Sequence, residues 1–210
     1  MKKQILLTML LAVSLTAQAT LYSYDFTGIN TAIPDGNPVG MVNNQTIALG
    51  ALPPDGTTTE IVNVDVQLTI TGGYNGDLYG YLVLNNGGTT TAILLNRIGQ
   101  DMSNPFGNTG AGIDVTLSGS GATDIHSAAF GAVTGTYLTD GGNTLNAFNG
   151  QTANGTWTLF LADLSGGDTS TLVSWGIDIS VVPEPITWAL LTFGALMTGL
   201  LVYRRQTAKA

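Results

Sequence analysis

Val62-Asn63-Val64-Asp65-Val66-Gln67-Leu68-Thr69-Ile70 carries an apolar side chain at every second residue without a miss. Successive side chains of a strand point to opposite faces of a sheet, so this run predicts a strand with one buried and one wet face. Leu172 to Ser180 repeats the alternation, with Trp175, Ile177 and Ile179 on the apolar side. Trp157-Thr158-Leu159-Phe160-Leu161 and Ile113-Asp114-Val115-Thr116-Leu117 are further strands, and Leu78 to Leu84 and Ala92 to Leu95 read as near-continuous apolar ones. Pro34-Asp35-Gly36, Pro54-Asp55-Gly56, Asn86-Gly87-Gly88, Asp140-Gly141-Gly142 and Gly166-Gly167-Asp168 punctuate them as turns. Many short strands with glycine-rich connections imply an all-β domain, a β-sandwich of jelly-roll type. No strand pattern returns at a fixed period, which argues against a solenoid or propeller.

The two ends are of another kind. Lys2-Lys3, the apolar stretch Ile5 to Leu15 and Ala17-Gln18-Ala19 form a signal peptide over residues 1–19, with signal peptidase cutting after Ala19. At the other end Val182-Pro183-Glu184-Pro185 leads into an apolar run from Ile186 to Tyr203 that stops at Arg204-Arg205. As a helix those residues would span roughly 27 Å, close to the ~30 Å hydrocarbon core of a bilayer. The basic stop places the C-terminus in the cytoplasm and the body outside. Trp188 and Tyr203 mark the two interfaces. Residues 20–181 between these ends are expected to be one domain, large enough to build a core with no cysteine in the chain.

Charge separates the same parts. Of the six Lys and Arg residues, Lys2, Lys3, Arg204, Arg205 and Lys209 belong to the ends, leaving Arg97 alone in the body. Thirteen of the fourteen acids stand in the body, Glu184 being the exception, so its net charge is 1 − 13 = −12. So acidic a body repels phosphate backbones, which excludes nucleic acid as a partner.

The residues refuse ordinary hydrolytic chemistry. A Ser-His-Asp triad needs a histidine base, and His126 is the single histidine, in a loop-like stretch with no Gly-x-Ser-x-Gly elbow. Glu60 is the one glutamate of the domain, and nothing singles out a carboxylate pair for glycoside cleavage. The chain reads as non-catalytic. One histidine and no cysteine also exclude common zinc geometry. Hard oxygen donors are plentiful, and Asp77, Asp101, Asp114, Asp163 and Asp168 are candidates for a structural Ca2+. Asp163 and Asp168 bracket a turn that could fold both carboxylates toward one ion; the competing reading makes all five solvated turn aspartates. Tyr79 and Tyr81 share one strand face and form a possible contact for sugar rings, or an ordinary cross-strand packing pair.

Two resemblances follow from these stretches. Val182-Pro183-Glu184-Pro185 with its apolar run and closing arginines, residues 182–206, resembles a PEP-CTERM sorting domain. Ile186 departs from the small residue usual at that place. The resemblance implies an exosortase-like enzyme in the inner membrane of a Gram-negative bacterium, and delivery to a cell surface or matrix rich in exopolysaccharide. The sorting residues are then Pro183, Glu184, Pro185, Arg204 and Arg205, with residues 186–203 as the transmembrane helix. The body resembles the P domain (P/Homo B) of subtilisin-like proprotein convertases. Gly76-Asp77-Leu78, Leu94-Leu95-Asn96-Arg97-Ile98-Gly99, Asn154-Gly155-Thr156-Trp157-Thr158-Leu159 and Leu172-Val173-Ser174-Trp175 carry that likeness. It implies a jelly-roll sandwich used for binding, so two roles are expected. One is a surface or matrix protein contacting exopolysaccharide or surface proteins; the other is an accessory to a separately encoded, exported subtilisin-like serine protease.

Overall fold

A computed structural model describes residues 19–49, 59–183, 193–199 and 204. Ala19–Glu184 form one compact unit. Ten strands build it: β1 (Thr20–Phe26), β2 (Thr31–Ile33), β3 (Asn37–Ile47), β4 (Thr59–Gly72), β5 (Leu78–Asn85), β6 (Thr89–Asn96), β7 (Ile113–Leu117), β8 (Val133–Tyr137), β9 (Gly155–Asp163) and β10 (Ser170–Pro183). They make two sheets. The first runs β1-β10-β4-β7-β8 with β2 also paired to β10, and the second runs β3-β9-β5-β6. Among the described strands β7 and β8 pair in parallel, a departure from the antiparallel order of a regular jelly roll. Residues 20–47 supply β1 to β3, one strand for the edge of each sheet and a short one between them in sequence.

The alternation read from the sequence becomes the core. Val64, Val66, Leu68 and Ile70 of β4 and Trp175, Ile177, Ile179 and Val181 of β10 are buried, as are Leu82 and Leu84 of β5 and Trp157, Leu159 and Leu161 of β9. Each such side chain withdrawn from water contributes about 1.5–3 kcal/mol. Two buried indoles keep their N–H groups bonded: Trp157 Nε1 donates to the Ala153 carbonyl at 3.0 Å and Trp175 Nε1 to Asn43 Oδ1 at 2.9 Å.

The period-two reading fails at one residue. Val62 is 41% exposed while Ile61 is buried. The register steps from Asn63 opposite Ser180 to Ile61 opposite Val181, so Val62 is the extra residue of a β-bulge and the alternation slips one place there. A second shift, between Leu172 and Ser174, carries Val173 and keeps both Leu172 and Trp175 inside.

Of the chain ends less is described. Residues 193–199 are helical. Among the described residues no helix is long and apolar enough to cross a membrane. Residues 1–18, Glu184, Pro185 and Arg205, and with them the signal peptide's Ala17, most of the 186–203 span and most of the sorting motif, lie outside the described residues.

Candidate functional site

Two surfaces of the sandwich carry its chemistry: the outer face of the second sheet and a loop cluster beyond β6. On the sheet, Leu78, Leu82 and Leu84 of β5 point inward, so Tyr79, Tyr81 and Val83 point out. Register brings their neighbours alongside. Ile93 of β6, Tyr81, Phe160 of β9 and Val42 of β3 form one row across all four strands, and Thr91, Val83, Thr158 and Asn44 form the next. Tyr81 and Phe160 stack at 4.4 Å with planes 11° apart, and Tyr79 meets Phe160 edge-on at 6.4 Å. The two tyrosines therefore do not lie flat side by side as a platform; they stand with Phe160 in a self-packed ridge. Thr158 Oγ1 donates to Asn44 Oδ1 at 2.6 Å, and Thr89 Oγ1 donates to Asn85 Oδ1 at 2.9 Å. These rows hold no charged residue, whereas the outer face of the first sheet displays Asp25, Asp65, Asp114 and Asp178. Phe160 was readable in the alternation of Trp157 to Leu161, as the residue facing away from Trp157 and Leu159.

The second surface is built from loops that hold one another. Asn108 is fully buried; its Oδ1 accepts from Gly110 N at 2.7 Å and Gly131 N at 3.3 Å, and its Nδ2 donates to the Ala129 carbonyl at 2.6 Å. Asn75, also fully buried, donates from Nδ2 to the Gly112 and Gly131 carbonyls at 3.1 Å each. Next to this junction lies the histidine. Asp124 caps a short 3-10 turn, Ile125–Ser127, by accepting from His126 N at 2.8 Å, and its other oxygen accepts from Gly141 N and Gly142 N at 2.9 Å each. His126 Nδ1 is 2.8 Å from Asp140 Oδ2 and its Nε2 is 3.0 Å from the Gln100 carbonyl. Burial alone would lower the imidazole's pKa, but the Asp140 carboxylate, the Gln100 carbonyl and the Asp124 charge outweigh it and hold it above its ordinary value. Burial raises the Asp140 carboxyl, and the bond to His126 offsets only part of that. Both ring nitrogens are thus committed to acceptors, and the ring faces a carboxylate and a backbone carbonyl rather than a hydroxyl nucleophile. Asn75, Asn108 and Asp140 stand beside glycines in the sequence, where they read as turn residues and nothing more, and Asp124 falls in the loop-like stretch before His126.

Of the five aspartates considered for calcium, Asp77 and Asp163 are neighbours, Leu78 standing opposite Asp163 across β5 and β9. Asp101 is exposed and turned into its own loop, where the Ser103 hydroxyl and the Asn104 and Ser103 amides hold its pKa down. Asp114 accepts from Thr69 on the outer face of the first sheet. Asp168 is exposed, and the turn it was expected to close is closed by Asp35, whose carboxylate accepts from Gly167 N. Asp77 pairs with Arg97 at 3.5 Å. Asp163 is 1% exposed, and burial, with the charges of Asp77 and Asp35, raises its pKa. Among the described residues no three His, Asp or Glu side chains are grouped to hold a metal ion.

Two sheets of short strands with loops held by buried asparagines define an all-β sandwich. The chain belongs to the proprotein convertase P-domain family, which it matches over residues 61–179. No curated protein matches it. It is similar to the serine protease of Aeromonas sobria in crystal structures with and without the chaperone. With the chaperone the identity is 19% and the TM-score 0.49, covering 80% of this chain and 28% of that one. Alone, the identity is 17% and the TM-score 0.47, covering 79% and 28%. The chain therefore spans little more than a quarter of those solved chains.

Proposed function

We propose that this P-domain protein is a non-catalytic binding module, exported and sorted to the cell surface or matrix, whose second sheet contacts neutral exopolysaccharide. The observation that carries the reading is the uncharged outer face of that sheet. In a body with thirteen acids and one cation, rows of Thr and Asn side chains flank an aromatic ridge with no carboxylate among them. Sugar polymers offer hydroxyls and apolar ring edges, and both have counterparts there: the hydroxyl and amide ladders, and Tyr79, Tyr81 and Phe160. The sorting part of the proposal rests on Pro183-Glu184-Pro185, the apolar run and Arg204-Arg205, read as an exosortase signal behind a signal-peptidase site.

Co-sedimentation of the full chain with the organism's purified exopolysaccharide tests the contact. Tyr81→Ser combined with Phe160→Ser is expected to weaken binding about tenfold, the scale of one lost aromatic contact, while Asp114→Asn on the opposite sheet leaves it unchanged. Equal binding by the double variant and the wild type removes the sheet from the proposal. The family membership favours a second reading, an accessory that docks on an exported subtilisin-like protease. Co-purification with one such protease, with no retention on polysaccharide, would select it.

A further inference from the structure

We propose that His126 is a protonation-dependent clamp on the loop between β6 and β7, and that it sets how that loop presents Met102 and Phe106. The two side chains are 104% and 70% exposed, and Phe130, on the segment that follows His126, is 69% exposed. Large apolar groups this open, carried on loops, are an interaction surface only where the loops keep their shape. Among the bonds that hold this one, two lead to the segment around and after His126. The Asn108 amide bonds the base of the loop to residues 129–131, and His126 bonds Gln100 near its tip.

The second tie depends on a proton. Nδ1 faces the Asp140 carboxylate, which also accepts the Asn96 amide at 3.1 Å, and Nε2 faces the Gln100 carbonyl. Neither acceptor can donate in return, so both bonds exist only when both ring nitrogens carry hydrogen, that is, in the imidazolium. When the ring loses one proton, the remaining N–H stays with the charged acceptor, Asp140, because a carboxylate holds it more strongly than a neutral carbonyl. The Nε2 lone pair is then set against the Gln100 oxygen, and the loop loses its fastening. The ionisable groups around the ring all favour its charged form: Asp140 from the turn after β8, Asp124 from its own 3-10 turn and Asp101 from the clamped loop. A histidine whose folded value is raised contributes stability that is complete below its unfolded value and fades as pH rises through the folded one. The clamp is therefore closed below pH about 6.5 and opens above the raised value. Asp140 is also raised, by burial, and its bond to His126 offsets part of that.

The chain has one histidine, so its imidazole gives a single unambiguous NMR signal. In the full chain held in detergent micelles, the titration midpoint of that signal is expected above about 6.5. The amide signals of Gln100, Asp101 and Met102 should move with the same midpoint. Hydrogen exchange of this loop, corrected for the intrinsic rate, should be about tenfold faster above the midpoint than below it, the effect of one lost hydrogen bond to a charged group. His126→Gln keeps a donor but cannot titrate, so its loop exchange should be independent of pH. Asp140→Asn should bring the midpoint down. A midpoint at or below the ordinary value overturns the proposal. So do loop amides that ignore the titration, in the wild type alone if either variant fails to fold.

Discussion

The Asn108 amide bonds two loop segments, through Gly110, Ala129 and Gly131, from a position without access to water. Truncation would strand two backbone N–H groups and a carbonyl, each costing about 1–3 kcal/mol when left unsatisfied. Asn108→Ala is therefore expected to lower unfolding free energy by about 2–4 kcal/mol in urea titrations; a loss below 1 kcal/mol would mean that the loops do not depend on it. This residue was invisible in the sequence, because an asparagine among glycines is ordinary turn composition and burial of a loop cannot be read from periodicity. Tyr79 and Tyr81 were legible as outward-facing, since Leu78 and Leu82 claim the other side. Their stacking partner lies on β9, far along the chain, and only strand register reveals it.

Asp65 of β4 stands directly opposite Asp178 of β10. Gln67 Nε2 holds Asp178 Oδ2 at 2.8 Å, while Asp65 Oδ1 is buried without a hydrogen-bond partner. Like charges opposite one another in an antiparallel pair are destabilising, and a threonine suits a strand better. Asp65→Thr should raise stability by about 0.5–1 kcal/mol in dilute buffer, and added salt should shrink the gain by screening the repulsion it removes. Thermal melts of both proteins at low and high salt measure this; a variant less stable than the wild type at every salt concentration would give Asp65 a different role. The strands themselves were legible wherever hydrophobic alternation ran unbroken, as in β4, β7, β9 and β10. Bulges were not, because one inserted residue leaves composition untouched and changes only which face each side chain takes. The parallel β7–β8 pair escaped notice for a similar reason, β8 (Val133–Tyr137) being short and carrying little apolar pattern.

For the molecule as a whole, the sandwich divides its surface by charge, with aspartates on the outer face of one sheet and none on the outer face of the other. The proposed sorting route makes a definite statement about the mature product. Intact mass of the protein recovered from the surface fraction should correspond to a chain beginning at Thr20 and ending near Pro185. A membrane-bound product that retains Arg204 and Arg205 would count against processing of the tail. The class of fold was plain from the sequence and so was the family, since both rest on local pattern. What the sandwich binds is a property of faces assembled from distant strands, which no local pattern records.

Arg97 is the one cation of an acidic body and the partner of Asp77. Its backbone lies at φ 57°, its N–H is bonded to the Leu78 carbonyl and its Nε to the Gly76 carbonyl. No other lysine or arginine stands between Lys3 and Arg204. An enzyme that cuts after basic residues must draw its target out as an extended strand, so the folded body offers it one peptide bond, pinned in a left-handed turn. A module of this kind can stay whole among trypsin-like proteases, and it would leave few fragments in any survey of matrix proteins that depends on them.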